Sequence, residues 1–565
     1  MRSTTVLTAL VSGALLIVAN LLVSYLPGRL DLTEEGRFTL TEATEEVVEN
    51  IQDPLLVEVL LEGEFPAGFK RLRSSVEELL RDLSDINGRL EYTFTDPNDG
   101  DVAEVNKNRE LLAKQGINPI NFQVRDADGQ SDRLLYPYAV VTYRDQTSLV
   151  NLLENNIPGQ SPEVALNNSV SLLEYKIANA IQKLQRRRKP LIAFTTGHGE
   201  LTELQTRDLA RTLSPYYDVA RINLDTMGGF GPEQLGALLV AKPLLPFTER
   251  EKFIIDQYVM RGGRVIWMVE KLRVNLDSLR VRPGSFIPPD SDLNLDDLLF
   301  RYGFRVEPNL VLDAQSTRVP LVVGQVGNAP QFDLRPWPYH VLANPNPAHP
   351  ITRALQPVNL FFASEIDTTV RTKTSIDKTV LLATTGNSTV RFSPVRVDLE
   401  SARYDLKPDD FTGGPYPLAV LAEGVFPSLY ENKLGSDFAA ALAEIGQDFI
   451  AESAPTKMIV ITDGDVAKNQ IDPVRNAFKP LGLNPYDQYV FDNKDFLVNA
   501  IEYLFDTDGI VAARNREVKL RLLDAARARA EERYWQTLNV VAPLVLLALF
   551  GVAYNYLRRR RFARV

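Results

Sequence analysis

Two short segments of this chain carry residue types that could do chemistry. Gly197-His198-Gly199-Glu200 follows Leu191-Ile-Ala-Phe-Thr195, an apolar run that reads as a buried strand. Backbone N–H groups of a glycine-rich turn at the carboxyl end of a strand can hold an anion, and His198 and Glu200 could serve as acid and base. A structural turn explains the same residues: the glycines permit unusual dihedral angles, and Glu200 favours the start of a following helix. With no nucleophile and no second histidine close in sequence, the structural reading outweighs catalysis. The segment is kept as a candidate loop for a ligand or partner, with no catalytic residue assigned. Asp463-Gly464-Asp465 follows another apolar strand, Lys457–Thr462. Its carboxylates could serve Mg²⁺ or Ca²⁺, but two aspartates around a glycine at a strand end more often make an Asx-type turn. It is expected to be an acidic turn, and neither a metal nor a cofactor is expected.

Other chemistries are excluded by what is missing. The 565 residues contain no cysteine, which removes disulfides, thiolate metal sites and cysteine nucleophiles, and only three histidines, His198, His340 and His349. No Walker A pattern and no G-x-S-x-G elbow occur, so the chain is not itself an ATPase or an elbow-type hydrolase. Gly228-Gly-Phe-Gly231 is too loose for a dinucleotide fingerprint. A net charge of −11 argues against nucleic acid, whose phosphates need a basic field.

The elements that must position the two segments are those of an α/β protein. Leu55–Leu61 and Leu90–Phe94 read as strands on either side of an amphipathic helix, Phe69–Ile86, and Thr41 caps a helix from Glu42 to Asn50. A strand at Tyr138–Tyr143 and a helix at Val164–Gln185 complete a first domain, and Arg186-Arg-Arg-Lys189 marks its end. Beyond it, Leu191–Thr195, Asp218–Leu224, Leu235–Ala241 and Arg264–Val269 read as strands. Leu201–Leu213 and Thr248–Arg261 read as helices, the second with Phe253, Ile254 and Val259 facing inward. This alternation predicts a doubly wound sheet. Residues 283–417 are Pro-rich and strand-like, an insertion or small β subdomain. Glu423-Gly-Val-Phe-Pro-Ser428 reads as a loop with an exposed aromatic.

Both ends carry an uncharged apolar stretch, Val6–Leu26 and Leu538–Leu557. Twenty-one helical residues reach about 31 Å, enough to cross a hydrocarbon layer of about 30 Å. Arg558–Arg561 follow the second stretch and favour cytoplasmic termini, although Arg521, Arg527, Arg529 and Arg533 flank its other side. The expected order is a cytoplasmic N-terminus at 1–5, a transmembrane helix at 6–26, an α/β domain at 27–189 and a second at 190–508. An amphipathic stalk helix at 509–536, a second transmembrane helix at 537–557 and a basic tail at 558–565 follow.

In their order along the chain, several segments carry a family likeness. They are Asp31-Leu-Thr-Glu-Glu-Gly-Arg-Phe-Thr-Leu-Thr41, Gly197–Glu200, Glu423–Ser428, Ile461-Thr-Asp-Gly-Asp465, Asp492-Asn-Lys-Asp-Phe-Leu-Val-Asn-Ala500, and Trp535-Gln536 with Asn539. Over nearly its full length the chain resembles the GldG family, auxiliary subunits of the gliding-motility ABC transporter. The resemblance implies thioredoxin-like and amidotransferase-like α/β domains in the bacterial periplasm, anchored in the cytoplasmic membrane. It implies a permease subunit and a separately encoded ATPase as partners, besides membrane lipid and a periplasmic protein. It is compatible with a dimer in the complex, and it transfers no catalytic residue. The competing expectation is a membrane-tethered small-molecule-binding protein or hydrolase using the Gly197–Glu200 loop.

Overall fold

The computed structural model describes residues 39–562 except 64, 127–128, 155–161, 227–234, 277–278, 280–285, 328, 432, 434–447, 473, 507–508 and 516–528. The apolar stretch Val6–Leu26 therefore lies outside the described residues, as do Gly228–Gly231 and the middle of the expected stalk. The chain divides into two compact units, Met1–Arg516 and Glu517–Val565.

In the first unit the chain opens with helix α1 (Glu42–Glu49), capped by Thr41, whose hydroxyl accepts the Thr44 N–H at 3.3 Å. Strand β1 (Leu55–Val59), helix α2 (Ala67–Ile86) and strand β2 (Leu90–Phe94) follow, and β1 pairs with β2 in parallel. Such a pairing is what a strand–helix–strand unit favours. Helix α3 (Val102–Lys114) and a hairpin of β3 (Ile120–Asp126) and β4 (Gly129–Leu135) lead to β5 (Tyr138–Tyr143), β6 (Gln146–Asn151) and helix α4 (Pro162–Gln185). The sheet order is β2-β1-β5-β6, with β5 antiparallel to β1 and β6 antiparallel to β5. Phe69, Leu72, Val76, Leu79, Leu80 and Leu83 recur every three or four residues on α2, so they share one face. That face meets Ile177, Ala178 and Ile181 of α4 in one core.

The chain then builds a ten-stranded sheet. Its first strands are β7 (Leu191–Thr196), β8 (Asp218–Asn223), β9 (Ala237–Ala241) and β10 (Arg264–Met268), with α5 (Arg207–Leu213) and α6 (Glu249–Met260) between them. A short helix α7 (Asp296–Arg301) and a small strand β11 (Arg305–Val306) precede β12 (Asn309–Asp313), β13 (Ser316–Val326), β14 (Ala329–Pro345) and β15 (Val358–Phe361). Then come β16 (Ile366–Asp367), β17 (Ile376–Ala383), β18 (Ser388–Phe392), β19 (Pro417–Gly424), β20 (Thr456–Ile461), β21 (Ile471–Asp472), β22 (Ala477–Phe478) and helix α8 (Asn493–Phe505). The order is β13-β14-β17-β19-β20-β10-β9-β7-β8, with β15 beside β14. From β20 to β8 all pairings are parallel, and from β19 to β13 they are antiparallel. Of the strands drawn from 283–417, β13, β14, β15 and β17 thus continue the parallel sheet as its antiparallel wing, while β11 pairs with β16 and β12 with β18 in two small sheets of their own. β9 is buried at every residue, as a strand covered on both faces must be.

The structure differs from three readings of local structure and adds to a fourth. Leu201–Leu213 is not one helix: the Leu201 N–H bonds the Ala241 carbonyl at 3.1 Å, and helix begins only at Leu204 with a short 3-10 turn before α5. On α6, Val259 is buried and Phe253 and Ile254 pack half-buried against the same core, as expected, but Glu251, Lys252, Asp256 and Gln257 are buried as well, each held by polar partners. Phe426 is not an exposed aromatic; it is fully buried and edge-on to Tyr302, with ring centroids 5.7 Å apart. The expected stalk does not begin at 509. Ile510–Asn515 is a 3-10 helix whose first two N–H groups, with that of the preceding Gly509, are held by the Asp506 carboxylate at 3.0–3.1 Å. Its Ile510, Val511 and Ala513 are buried in the core of the N-terminal sheet and helices.

The second unit contains helix α9 (Glu532–Phe562). At 31 residues it is about 46 Å long, more than the hydrocarbon layer requires. Its leucines, valines and Phe550 are exposed, with Leu546 and Leu547 at 67%. Between Leu538 and Leu557 the helix is uncharged all round, as a segment facing lipid must be.

Candidate functional site

All four residues of the Gly197–Glu200 loop and both aspartates of the acidic turn stand at one edge of the large sheet, where its parallel strands end. Gly197 and Gly199 have φ of +116° and +77°, which favours glycine at both positions. The turn buries His198, whose ring stacks on Phe247 at 3.8 Å with 16° between planes. Nδ1 lies 3.1 Å from Glu200 Oε1, and Nε2 lies 3.0 Å from Glu251 Oε1. Glu200 Oε2 also accepts the His198 backbone N–H at 2.7 Å.

Glu251 is tied on its other side. Its Oε2 accepts the Thr248 N–H and hydroxyl at 2.8 and 2.7 Å, and its own N–H donates to the Thr248 hydroxyl, a capping box that starts α6. Burial opposes a charged imidazole at His198, but the hydrogen bonds and negative charge of the two glutamates override it and raise its pKa above the ordinary 6.5. Burial likewise opposes ionised Glu200 and Glu251, yet hydrogen bonds, with His198 leading at Glu200 and Thr248 at Glu251, hold both below 4.5. With a carboxylate on each ring nitrogen, His198 has no free lone pair to act as a base. The arrangement clamps the end of β7 to the start of α6.

The acidic turn is half of a charged centre that spans three strand ends. Lys242 directly follows β9; its Nζ lies 2.8 Å from Glu270 Oε1 and 2.6 Å from Asp465 Oδ2. Glu270 lies just past β10, and Asp463 and Asp465 just past β20. Asp463 accepts the Asp465 N–H at 2.7 Å through Oδ1 and the Phe361 N–H at 2.8 Å through Oδ2, which is the Asx-type turn with a second anchor on β15. Lys468 Nζ is 3.2 Å from Asp465 Oδ1. Lys242 itself has φ +56°, and a Cβ on Gly464 would sit 2.6 Å from Lys242 Cγ, so glycine is needed there.

Burial pushes Glu270 up to about 7 against the pull of Lys242, and burial with the neighbouring Asp465 and Glu270 charges raises Asp463 well above the usual range. Burial works against ionised Asp465 as well, but Lys242 and Lys468 hold it low. Glu270, Asp463 and Asp465 each bring a carboxylate oxygen within 4.8 Å of the others, a spacing a hard cation could bridge. The Lys242 ammonium already lies between two of them, so the donor set fits an internal ammonium better than a metal ion.

Lys242, Glu270 and Glu251 were not singled out from the sequence, although each has a signal there. Lys242 and Glu270 are charged residues that close the apolar runs Ala237–Ala241 and Val265–Val269, and Thr248-x-x-Glu251 is a capping-box pattern. A second charged joint links α4 to α8. Glu502 on α8 pairs with Lys183 and accepts the Tyr175 hydroxyl at 2.5 Å and the Asn179 amide at 3.2 Å.

A family model described as an ABC-type uncharacterized transport system matches residues 189–500, the stretch that holds the large sheet and both loops. The chain belongs to this family of ABC-transport auxiliary proteins. A second model, for a domain of unknown function (DUF7088), matches residues 34–142. No curated protein matches. Among solved structures, the mmIFT52 N-terminal domain shares 14% identity over 55% of this chain and 96% of its own, with a TM-score of 0.29. Exo-beta-1,4-mannosidase Op5Man5 from Opitutaceae bacterium strain TAV5 shares 9% over 54% of this chain and 35% of its own, with a TM-score of 0.20. Neither similarity is close enough to guide the reading. Family membership supports a transporter-associated accessory role, and with α9 it fits a membrane-anchored protein.

Proposed function

We propose that this chain is a non-catalytic, GldG-type auxiliary subunit that docks on a separate permease and ATPase in the bacterial cytoplasmic membrane. Its α/β region stands in the periplasm, both termini lie in the cytoplasm, and it couples the transporter to a periplasmic partner or solute in gliding motility or a related envelope process. The observation that carries this reading is the family match over residues 189–500 joined to one helix whose apolar side chains are exposed along its length. The sheet order β2-β1-β5-β6, with its parallel and antiparallel pairs, supports a thioredoxin-like N-terminal domain, and the parallel half of the large sheet supports an amidotransferase-like one. The engagement of both His198 ring nitrogens by carboxylates favours a structural role for the Gly197–Glu200 loop over hydrolysis.

The test is affinity capture from native membranes. A multi-span permease and an ATPase should co-purify with the chain and be lost when the apolar stretches at residues 6–26 and 537–557 are deleted. His198→Ala and Glu200→Ala should leave assembly and transporter-dependent activity intact wherever the chain still folds. Recovery of the intact chain free of both subunits would refute the reading.

A further inference from the structure

Beside the Lys242–Asp465 centre lies a cavity of ≈ 530 Å³, in the size range of about 300–1,000 Å³ typical of small-molecule sites. Strands β13, β14 and β15 supply one wall, and two segments, Asp465–Ile471 and Leu483–Tyr486, supply the other. It opens where β20 ends, at the carboxyl edge that open α/β sheets use for ligands.

The polar part of the lining is rich in amides: Gln205, Asn275, Asn359, Asn469, Gln470 and Asn484. An amide both donates and accepts hydrogen bonds, as a sugar hydroxyl does. The apolar part includes aromatic rings, Phe361, Phe362 and Tyr486. Two of the amides hold the wall itself. Asn469 accepts the Asp208 N–H and donates to the Leu204 carbonyl, and Asn484 accepts the Tyr486 N–H. Others have capacity left: Gln205 uses only its oxygen, on Thr202, and the Gln470 side chain has no partner among the described residues. Lys468 stands beside Asp465, so Arg318 is the one lining cation without an ion pair among the described residues. That field is too weak to select a phosphate dianion, and the amides are too many for an apolar ligand.

We propose that this cavity binds a short saccharide, its hydroxyls on the amides and Arg318 and a ring face against Phe361. The proposal is independent of assembly with a permease, since a chain that binds no permease could still bind sugar.

The experiment uses the full chain in lipid nanodiscs, which avoids glycoside detergents. Cellobiose, mannobiose, lactose, N-acetylchitobiose and digalacturonate are titrated by calorimetry, with inorganic phosphate as the competing probe. At least one disaccharide is expected to bind with Kd of about 1 mM or tighter, and Arg318→Ala with Gln470→Ala should weaken it at least about tenfold. Both side chains are exposed, so this double variant keeps the fold; an unchanged melting temperature verifies that. Phe361→Ala should abolish binding. No heat with any sugar at about 10 mM, binding that the double variant leaves unchanged, or displacement of the sugar by phosphate would each overturn the proposal.

Discussion

His198 shows how a residue that reads as catalytic can be structural. Its two ring nitrogens face Glu200 and Glu251, and neither glutamate is free for other work. His198→Ala should cost about 2–3 kcal/mol, because it strands two buried carboxylates, and urea unfolding will measure that. The pH dependence of the clamp has a definite sign. His198 has a raised pKa, so its contribution is complete below 6.5 and is lost as pH rises through the folded value. Glu200 and Glu251 have lowered pKa values, so theirs is complete above 4.5 and is lost as pH falls through the folded values. The stability difference between wild type and His198→Ala should therefore be largest between 4.5 and 6.5 and shrink on either side. A difference that stayed unchanged from well below 4.5 to well above 6.5 would contradict the clamp. Lys242→Met is a harsher change. It leaves Glu270 and Asp465 buried without their shared ammonium and should cost about 3–5 kcal/mol.

At the scale of elements, the strands and long helices were legible because their signals are local. The spacing of Phe69, Leu72, Val76 and Leu80 gives α2 and its buried face, and the unbroken apolar runs give β7, β9 and β10. What failed depends on tertiary partners that periodicity does not reveal. Asp256 looks like a solvent residue on α6, yet it is buried and accepts hydrogen bonds from Ser428, Leu429 and Tyr302. The candidate site was legible only in part, since the loops after β7 and β20 were found but their partners Glu251, on α6, and Lys242 and Glu270, past β9 and β10, lie on other elements.

Ile510–Asn515 was misread for the same reason. Its helical spacing is real, but an apolar face alone does not say which core it enters. The structure places it in the N-terminal core, so Ile510→Ala should destabilise that domain by about 2–5 kcal/mol in thermal unfolding. A free stalk would leave the melting temperature unchanged.

At the scale of the whole molecule, the N-terminal sheet, the large sheet and the segment through Arg516 form one compact unit, and α9 belongs to another. Residues distant in sequence close the first unit. Glu502 on α8 is met by Tyr175, Asn179 and Lys183 on α4, and Arg514 covers the Tyr175 ring at 4.7 Å. Burial works against a charged Glu502, but Lys183 and the hydrogen bonds around it hold its pKa low, so the joint is ionic at neutral pH. Glu502→Ala should leave Lys183 without its partner and loosen this joint, read out as faster amide exchange in α4 and α8 together. Exchange confined to α8 would contradict a shared joint.

As an accessory of an ABC-type transport system, the chain is proposed to be held to its partners in part by α9. The most direct measurement replaces Leu538–Leu557 with an unrelated apolar span of equal length and compares the proteins captured from native membranes. The variant should stay in the membrane but lose the permease and ATPase that wild type retains. Unchanged capture by the variant would contradict the role given to α9, and absence of both subunits from the wild-type capture would contradict the claim itself.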